Sequence, residues 1–320
     1  MNNSTQAPVA FCLYNAAVLL GGYLLSRFCT FFIVRVLGKL ACHQCCAIYA
    51  GKAAEANDSP VLGMFIIAHR GFSSKYPGNS MISFQKALEA GSNGIELDIR
   101  VCSDSVIVVC HDDNPITIRN ENPILTKIEE SPSSEIRALR YRNGTARHPL
   151  LQDVFQLCHS KRVMILLDVK SLGTSIIEKA VHLAMDGGVI DQIVLGIRTL
   201  EQLVKAKELQ TRHGLKFKIL GFWPDPDDYL TFFSRGGTIF RLWEDDATPA
   251  RIKAIRGLDR PVWVCTGTPL GDSVDGRAAG EVSRAGLRRL QELGVQAVLV
   301  NNPEEVQEVL LEHWTYCYNP

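Results

Sequence analysis

The amino-acid sequence predicts an α/β protein, a TIM (β/α)8 barrel that is preceded by an N-terminal transmembrane helix. Three features support this fold class. From Met64 onward, short runs rich in β-branched and aromatic residues alternate with amphipathic stretches. Ionisable residues follow several of these runs directly, and a long uncharged apolar segment lies near the N-terminus. Alternation of strands and helices is typical of a parallel sheet covered by helices.

Eight parallel strands are predicted after Met64. They are residues 65–68, 94–98, 163–169, 192–196, 216–221, 238–242, 261–265 and 297–300. Amphipathic helices are predicted between them, among others at residues 80–90, 175–186, 200–213 and 283–293. Eight βα units are the number that closes a TIM barrel, in which the active site lies at the C-terminal ends of the strands.

One further predicted strand, residues 106–110, breaks this alternation. It follows Asp98 after only a short polar segment, whereas a parallel crossover connection needs a dozen or more residues. We therefore expect this strand to return as a hairpin, or as a local excursion near the mouth of the barrel.

Residues 1–50 are predicted to form a membrane anchor followed by a juxtamembrane cysteine cluster, residues 51–63 a linker, and residues 64–320 the catalytic domain. Residues 10–25 are uncharged and apolar, and a helix over about residues 9–34 is long enough to cross a bilayer. A cleaved signal peptide and a mitochondrial presequence are the alternatives. The first needs positive charge before the apolar run, which is absent, and the second tolerates no apolar run of this density.

The charge pattern around the apolar run predicts a single-pass membrane protein with its catalytic domain on the cytoplasmic side. Arg27, Arg35 and Lys39 all follow the run, and positive residues favour the cytoplasmic face. Glycosylation sequons at Asn2 and Asn3 agree with an outside N-terminus, although a third sequon at residues 143–145 would favour the opposite orientation if it were used. The organelle stays open.

Composition argues against a nucleic-acid partner and against a disulfide framework. Lys+Arg and Asp+Glu number 34 each, so no net charge attracts a polyanion. Five of the ten cysteines lie before residue 50, where the crowded segment 42–46 favours S-acylated or free thiols over a zinc site. The other five are scattered, some within strand-like runs, which indicates buried thiols in a reduced compartment.

Ionisable side chains are predicted to meet at the carboxyl ends of the early strands. They are His69, Arg70, Glu96, Asp98, His111, Asp168 and Lys170. A single histidine or a single Glu-x-Asp after an apolar run is more often structural. The joint pattern favours a functional site, because buried charges are costly unless they are paired or bound to a metal.

The residue types indicate a metal-assisted reaction at a phosphate. Glu96 and Asp98 share one face of a strand, and with Asp168 they form an oxygen-only cluster suited to a divalent cation, Mg²⁺ or Ca²⁺. Arg70 and Lys170 supply positive charge for binding a phosphate.

His69 and His111 form a possible general acid–base pair, because imidazole works near neutral pH. The sequence leaves open which of the two is the acid and which the base. The other histidines, at positions 43, 148, 159, 182, 213 and 313, lack this context and are interpreted as surface or packing residues.

The stretch IIAHRGFSSKYPGNSMISFQKALEAGSNGIELDIRVCSDSVIVVCHDD, residues 66–113, resembles the signature of the glycerophosphodiester phosphodiesterase family. In that family His-Arg-Gly is followed by Pro-Glu-Asn-Thr, then by Gly-x-Asp-x-Ile-Glu-x-Asp-Val and then by His-Asp. Residues 149–154 and 167–170 are similar to the family's helix-opening segment and its Glu-x-Lys strand. Trp263 and the segments 294–295 and 301–303 resemble weaker copies of its late motifs.

The resemblance, which covers roughly residues 64–310, implies a TIM barrel and hydrolysis of glycerophosphodiesters or lysophospholipids by a membrane-anchored enzyme of the eukaryotic, lysophospholipase D-like type. It implies metal ligands at Glu96, Asp98 and Asp168 and catalytic histidines at His69 and His111. The sequence departs from the family pattern at several positions, which are Gly78, Asp168, Gly267 and Asn302.

Two alternatives stay open. A related lipid phosphodiesterase, such as a sphingomyelinase D or a phosphatidylinositol phospholipase, would use the same metal and histidines. A catalytically inert, membrane-bound barrel would explain the weaker late motifs. Protein partners, oligomeric state, head group and acyl preference are not predicted.

Overall fold

Short, nearly continuous apolar runs build the barrel strands of this protein, and 3.6-residue periodicity builds its helices. The computed structural model describes residues 64–119, 122–141, 146–223, 225–269 and 276–318. Its strands are β1 Phe65–Ala68, β2 Gly94–Val101, β3 Ile107–Val109, β4 Ile116–Arg119, β5 Asn122–Leu125, β6 Arg140–Tyr141, β7 Met164–Val169, β8 Ile193–Ile197, β9 Lys218–Gly221, β10 Ile239–Trp243, β11 Val262–Cys265 and β12 Ala297–Val300.

The helices cover the outside of these strands. They are α1 Met81–Glu89, α2 Ser133–Ala138, α3 Leu151–Cys158, α4 Ser175–Asp186, α5 Leu200–His213, α6 Tyr229–Ser234, α7 Pro249–Arg256, α8 Arg284–Glu292 and α9 Pro303–Tyr318. A short 3₁₀ helix, Ile190–Gln192, precedes β8. The bounds of α4 and α5 agree with those predicted from the sequence, and α1 and α8 are each one residue shorter at both ends.

Eight parallel strands close into a barrel in the order β1-β2-β7-β8-β9-β10-β11-β12, and β12 pairs with β1. This confirms the predicted TIM-like barrel. The predicted strand bounds differ from the observed ones by a residue or two at most ends. The exception is β2, which runs three residues beyond the predicted Asp98 because Ile99–Val101 pair with the returning strand β3.

The predicted excursion strand is confirmed as a hairpin. β3 runs antiparallel to β2, with Ile99 opposite Val109. After β3 the chain forms a three-stranded antiparallel sheet in the order β5-β4-β6, together with α2, and the sequence did not predict this insertion. A small apolar cluster that includes Ile128 and Ile136 holds the insertion together. It stands beside the C-terminal end of β2, and it therefore forms one wall of the barrel mouth.

Two apolar layers lie on the two faces of the barrel strands. Ile67, Leu166, Leu220 and Trp263 belong to the cluster inside the barrel. The alternate residues of the same strands, such as Leu167, belong to the larger cluster between strands and helices. Because successive side chains of a strand point to opposite faces, each strand contributes to both layers and is buried on both sides.

Local sequence signals fix the helix ends. Ser80 caps α1 in a capping box, in which its Oγ accepts the backbone N–H of Ser83 and Ser83 Oγ accepts the backbone N–H of Ser80. Thr199 accepts a hydrogen bond from the backbone N–H of Gln202 at the start of α5, and Gly214 ends that helix in the left-handed conformation.

The predicted anchor, cysteine cluster and linker, residues 1–63, lie outside the described residues. Within the described part of the chain, no helix is both long enough and apolar enough to cross a membrane. Four of the scattered cysteines predicted to be buried thiols are free and buried: Cys102, Cys110, Cys158 and Cys265.

Candidate active site

Three buried carboxylates meet on the neighbouring strands β2 and β7. Asp98 and Asp168 are direct neighbours in the parallel register of the two strands, and Glu96 lies two residues before Asp98 on the same face. Oxygen atoms of the three side chains lie within 4.8 Å of one another, and all three residues are buried. The structure therefore brings together the predicted metal-ligand set.

Three basic side chains partly neutralise this cluster. Lys170 Nζ lies 3.0 Å from Asp98 Oδ1 and 2.7 Å from Asp168 Oδ2. Arg70 Nε lies 3.2 Å from Asp98 Oδ2. The guanidinium of Arg198 donates to both oxygens of Asp168, at 2.7 Å each. Arg70 and Lys170 are thus placed where the sequence predicted them, and Arg198 joins them.

The carboxylates differ in their tendency to ionise. Burial alone would raise the pKa of Asp98, but the charges of Lys170 and Arg70 outweigh it and hold that pKa below its usual range. The pKa of Glu96 is raised well above its usual value by burial, and then by the negative charges of Asp98 and Asp168. A cation bound among the three carboxylates would favour the ionised form of Glu96.

The donor set fits a hard divalent cation. All three side chains offer oxygen, and buried carboxylate oxygens are the ligands that Mg²⁺ and Ca²⁺ prefer. Glu96 also accepts the backbone N–H of Arg70 at 2.8 Å, which orients its carboxylate. Asn79 orients the carboxylate of Asp98 in the same way, because its Nδ2 donates a hydrogen bond to Asp98 Oδ2 at 2.6 Å.

A strained turn after β1 makes these contacts possible. Arg70 has φ 56° and Gly71 φ 78°, both in the left-handed region. A Cβ at position 71 would lie 2.5 Å from Ser83 Oγ, so only glycine fits there. The strain at Arg70 turns its backbone N–H towards Glu96 and its side chain towards Asp98.

His69 lies at the end of β1, buried and fixed by Asn301. Its Nδ1 lies 2.8 Å from Asn301 Oδ1, which also accepts from Ser73 Oγ at 2.9 Å. Asn301 Nδ2 donates to the carbonyl of Ala279 at 2.8 Å, which sets the amide orientation. Nδ1 is therefore the protonated nitrogen, and Nε2 keeps its lone pair. Burial, and then the charge of Arg70, lowers the pKa of His69 to about 4.

His111 follows β3 and is more accessible, with 40% of its side chain exposed. Its Nδ1 lies 2.7 Å from Asp112 Oδ1, and its carbonyl accepts from Arg100 Nε at 3.0 Å. The charges of both His69 and His111 interact with that of Asp98, so both predicted histidines stand at the same carboxylate cluster.

A cavity of about 660 Å³ opens between the strained turn and the insertion. It is lined, among others, by Arg70, Gly78, Asn79, His111, Tyr141 and His148. Two of these side chains, Arg70 and Asn79, also contact Asp98, so the cavity leads to the carboxylate cluster. Its size is in the range of small-molecule sites.

The departures from the family pattern have local causes or effects. A Cβ at Gly78 would lie 3.2 Å from Arg70 Cβ, so a larger side chain there would crowd the Arg70 side chain. A Cβ at Gly267 would lie 2.0 Å from the carbonyl oxygen of Ala278, and φ is +65°, so glycine is required there. Asn302 caps α9 by accepting the backbone N–H of Glu305 at 3.3 Å.

Sequence reasoning missed Asn79, Arg198 and Asn301 as residues of the site. Arg198 directly follows β8, so the rule that found Lys170 could have found it. Asn79 and Asn301 lie in segments quoted for the resemblance, but nothing local marks their contacts. Among the remaining histidines, His148 is buried and packs against Tyr141 at 4.3 Å between ring centroids, while His159, His182 and His213 are exposed, as expected for packing and surface residues.

The fold and the site define a TIM-barrel protein whose mouth holds a buried carboxylate cluster between two histidines. Residues 69–211 match the Glycerophosphoryl diester phosphodiesterase family. A glycerophosphodiester phosphodiesterase of Bacillus altitudinis is 50% identical over 44 residues, 14% of this chain and 18% of that protein. One of Caldanaerobacter subterraneus is 28% identical over 109 residues, 33% of this chain and 45% of that protein. The alignments thus span less than half the length of these curated relatives.

Solved structures show the same fold. A putative glycerophosphoryl diester phosphodiesterase from Silicibacter pomeroyi has a TM-score of 0.65 at 20% identity, over 80% of this chain and 95% of that one. An Oleispira antarctica phosphodiesterase, solved with its product sn-glycerol-3-phosphate, has a TM-score of 0.64 at 18% identity, over 77% and 96% of the two chains. The family match covers residues 69–211, less than half of the chain, and the structural neighbours share its fold.

Proposed function

We propose that the protein is a metal-dependent phosphoric diester hydrolase that acts on glycerophosphodiesters, on lysophospholipids in a lysophospholipase D-like reaction, or on both. The observation that carries this proposal is the buried triad Glu96, Asp98 and Asp168 at the barrel mouth, with the basic side chains of Arg70 and Lys170 against it. The match of residues 69–211 to the family supports the reaction class, and the named activities of the relatives support the substrate class.

Glu96, Asp98 and Asp168 would hold the divalent cation, Mg²⁺ or Ca²⁺, which when bound acts as a Lewis acid on a phosphoryl oxygen. Arg70 and Lys170 contact Asp98 within this cluster. Their charges would stabilise the additional negative charge that develops on the phosphoryl oxygens during displacement.

The two histidines are suited to opposite proton transfers. His69 is neutral at pH 7, because burial lowers its pKa to about 4, and its free Nε2 can take a proton from the attacking hydroxyl. His111 lies on the more accessible side of the site, and Asp112 Oδ1, 2.7 Å from its Nδ1, orients the ring. We assign it the opposite transfer, in which it gives a proton to the leaving alkoxide as the bond from phosphorus to that oxygen breaks.

The attacking hydroxyl is that of water or that of the substrate's own glycerol. In the second case the reaction passes through a cyclic phosphate, which ³¹P NMR of the reaction mixture detects directly.

The experiment that tests the proposal measures release of the head-group alcohol from a panel of glycerophosphodiesters and lysophospholipids. The second product is sn-glycerol 3-phosphate from the glycerophosphodiesters and lysophosphatidic acid from the lysophospholipids. Sphingomyelin and phosphatidylinositol in the same panel test the related lipid phosphodiesterase activities. Glu96→Gln should raise the metal concentration needed for half-maximal activity. Asp191→Asn is the matched control, because Asp191 is exposed in the 3₁₀ helix at the other end of β8. No turnover of any substrate with Mg²⁺ or Ca²⁺ would favour the inert barrel.

The histidine roles have their own test. His69→Asn and His111→Asn should each lower kcat by about two to four orders of magnitude, as expected when a positioned acid or base is lost. His182→Asn, on the exposed face of α4, is the matched control. A variant at position 69 or 111 with nearly normal kcat would contradict the role given to that histidine.

We further propose that residues 1–50 anchor the enzyme in a membrane as a single-pass protein, with the barrel on the cytoplasmic side. The support is the apolar segment and the charges that follow it. The full-length protein should remain in the membrane pellet after extraction with alkaline carbonate. In sealed vesicles the barrel should be open to added protease, and protection of the barrel would reverse the orientation.

A further inference from the structure

Arg241 is a cation inside the barrel that the proposed reaction does not use. Along β10, Ile239 belongs to the cluster inside the barrel, whereas Phe240 and Leu242 belong to the cluster between strands and helices. Arg241 therefore points inward, and only 7% of the residue is exposed. A charged side chain in this position is unusual, because barrel interiors are filled with apolar side chains.

The guanidinium of Arg241 has no counter-ion in the described part of the chain. Its Nε is buried and has no hydrogen-bond partner, and no carboxylate there forms an ion pair with it. Burial lowers the pKa of Arg241. The negative charges of Asp168 and Asp246 act to raise that pKa, but neither carboxylate lies within ion-pair distance of the guanidinium. Burial of an unpaired charge is costly. Such a residue is better suited to binding an anionic or oxygen-rich ligand than to stabilising the fold.

Two aromatic rings hold the guanidinium in place. Arg241 Cζ lies 4.7 Å from the ring centroid of Phe222 and 4.2 Å from that of Trp243. Gly196 makes room for this arrangement, because a Cβ there would lie 2.3 Å from Phe222 Cε2. The stacked guanidinium is pre-organised, so it loses little conformational entropy when it binds oxygen atoms in its plane.

This stack lies on the Asp168 side of the carboxylate cluster. Asp168 and Arg198 are among the charges that act most strongly on Arg241, and Arg198 Cζ also lies over Phe222, at 5.1 Å. Arg70, by contrast, lines the cavity beside His111. A phosphodiester has two arms, so a phosphate at the cluster would extend one arm towards the cavity and the other towards Arg241.

We propose that Arg241, held between Phe222 and Trp243, forms a second subsite that binds the oxygen-rich head group of the diester, a carboxylate in preference to neutral hydroxyls. Because a cation already occupies the aromatic stack, a quaternary ammonium head group is disfavoured there. The subsite rests on the proposed function, and it identifies the substrate class as glycerophosphodiesters with anionic or polyol head groups.

The test compares kcat/KM of the full-length protein for glycerophosphoserine, glycerophosphoinositol and glycerophosphocholine. The intact enzyme should prefer them in that order. Arg241→Met should lower kcat/KM for the serine ester by about 10- to 100-fold, mainly through KM, as expected for loss of a charge-assisted hydrogen bond. The value for the choline ester should change less than about 3-fold, and Arg241→Lys should keep part of the preference for serine.

Arg260→Met is the matched control, because Arg260 stacks on Phe233 at 5.5 Å but is exposed outside the barrel. It should leave the substrate order unchanged. Thermal unfolding should show Arg241→Met at least as stable as the unaltered protein, since an unpaired buried charge is replaced by an apolar side chain. A clear loss of stability would mean that Arg241 serves the fold, and would overturn the subsite.

Two results separate failure of the subsite from failure of the proposed function. An equal loss on all three esters, or a preference of the intact enzyme for choline, overturns the subsite and leaves the hydrolase standing. If no ester is cleaved, the proposed function fails, and binding of glycerophosphoserine measured by calorimetry then decides. Weaker binding to Arg241→Met than to the intact protein supports the subsite, and equal binding overturns it.

Discussion

Replacing Asn301 by aspartate should shift the pH dependence of the enzyme through His69. Asn301 Oδ1 accepts the Nδ1–H of His69 at 2.8 Å, so Asn301→Asp places a carboxylate oxygen next to a buried imidazole without changing the shape of the contact. The pKa of His69 is lowered to about 4 by burial and then by Arg70. A carboxylate opposes both causes, because it favours the protonated imidazole.

The size of the shift follows from the distance. Two unit charges about 4 Å apart attract each other by about 4 kcal/mol at an effective dielectric constant near 20, which corresponds to about 3 pKa units. The neighbouring charges of Arg70 and Lys170 also attract the new carboxylate and weaken its effect. We therefore expect the pKa of His69 to rise by about 1 to 3 units.

The sign of the kinetic effect follows from the proposed role of His69 as a base. Below its pKa the imidazole is protonated and cannot accept a proton, so activity falls on the acid side of the profile. Raising the pKa moves this acid limb of kcat/KM to higher pH by the same amount. Heteronuclear NMR of the imidazole in metal-free protein measures the pKa, and kcat/KM at fixed Mg²⁺ concentration measures the limb.

Asn302→Asp is the matched control, because the adjacent amide caps α9 through the backbone N–H of Glu305. It should leave the limb in place. Asn301→Asp also removes the Nδ2 donor to the carbonyl of Ala279, which should cost about 1–3 kcal/mol of unfolding free energy, measured separately by denaturant titration. An unchanged acid limb, or an equal shift in the control, would refute the role given to His69.

Three further predictions concern the barrel interior and the metal site. Gly196→Ala should cost about 1–3 kcal/mol by crowding Phe222, and thermal unfolding should show little change for Gly173→Ala, where a Cβ meets nothing closer than 4.0 Å. Chelation by EDTA should abolish turnover, and Mg²⁺ or Ca²⁺ should restore it; full activity in excess chelator would contradict the carboxylate site. Asn79→Ala should raise the metal requirement, because Asp98 loses the donor at 2.6 Å, while Asn114→Ala, an exposed asparagine, should not.

Local sequence pattern was sufficient to predict the barrel and the carboxylate cluster at its mouth. Apolar runs and helical periodicity are local properties, and they located all eight barrel strands of the structure. Active sites of such barrels lie at the carboxyl ends of the strands, so candidate residues can be identified from each strand separately. Glu96, Asp98 and Asp168 were identified in this way from the sequence. The membrane anchor also comes from local composition, and it stays a prediction.

The tertiary structure alone decided which distant residues complete the site. Asn301 contacts His69 across 232 positions of sequence, because closure of the barrel makes β12 the neighbour of β1. The stack of Arg241 on Phe222 and Trp243 depends on two side chains of β10 and on Phe222, the residue after the neighbouring strand β9, together with the space left by Gly196. Such contacts arise from barrel closure and side-chain packing, which leave no periodic signal along the chain, so local pattern could not have revealed them.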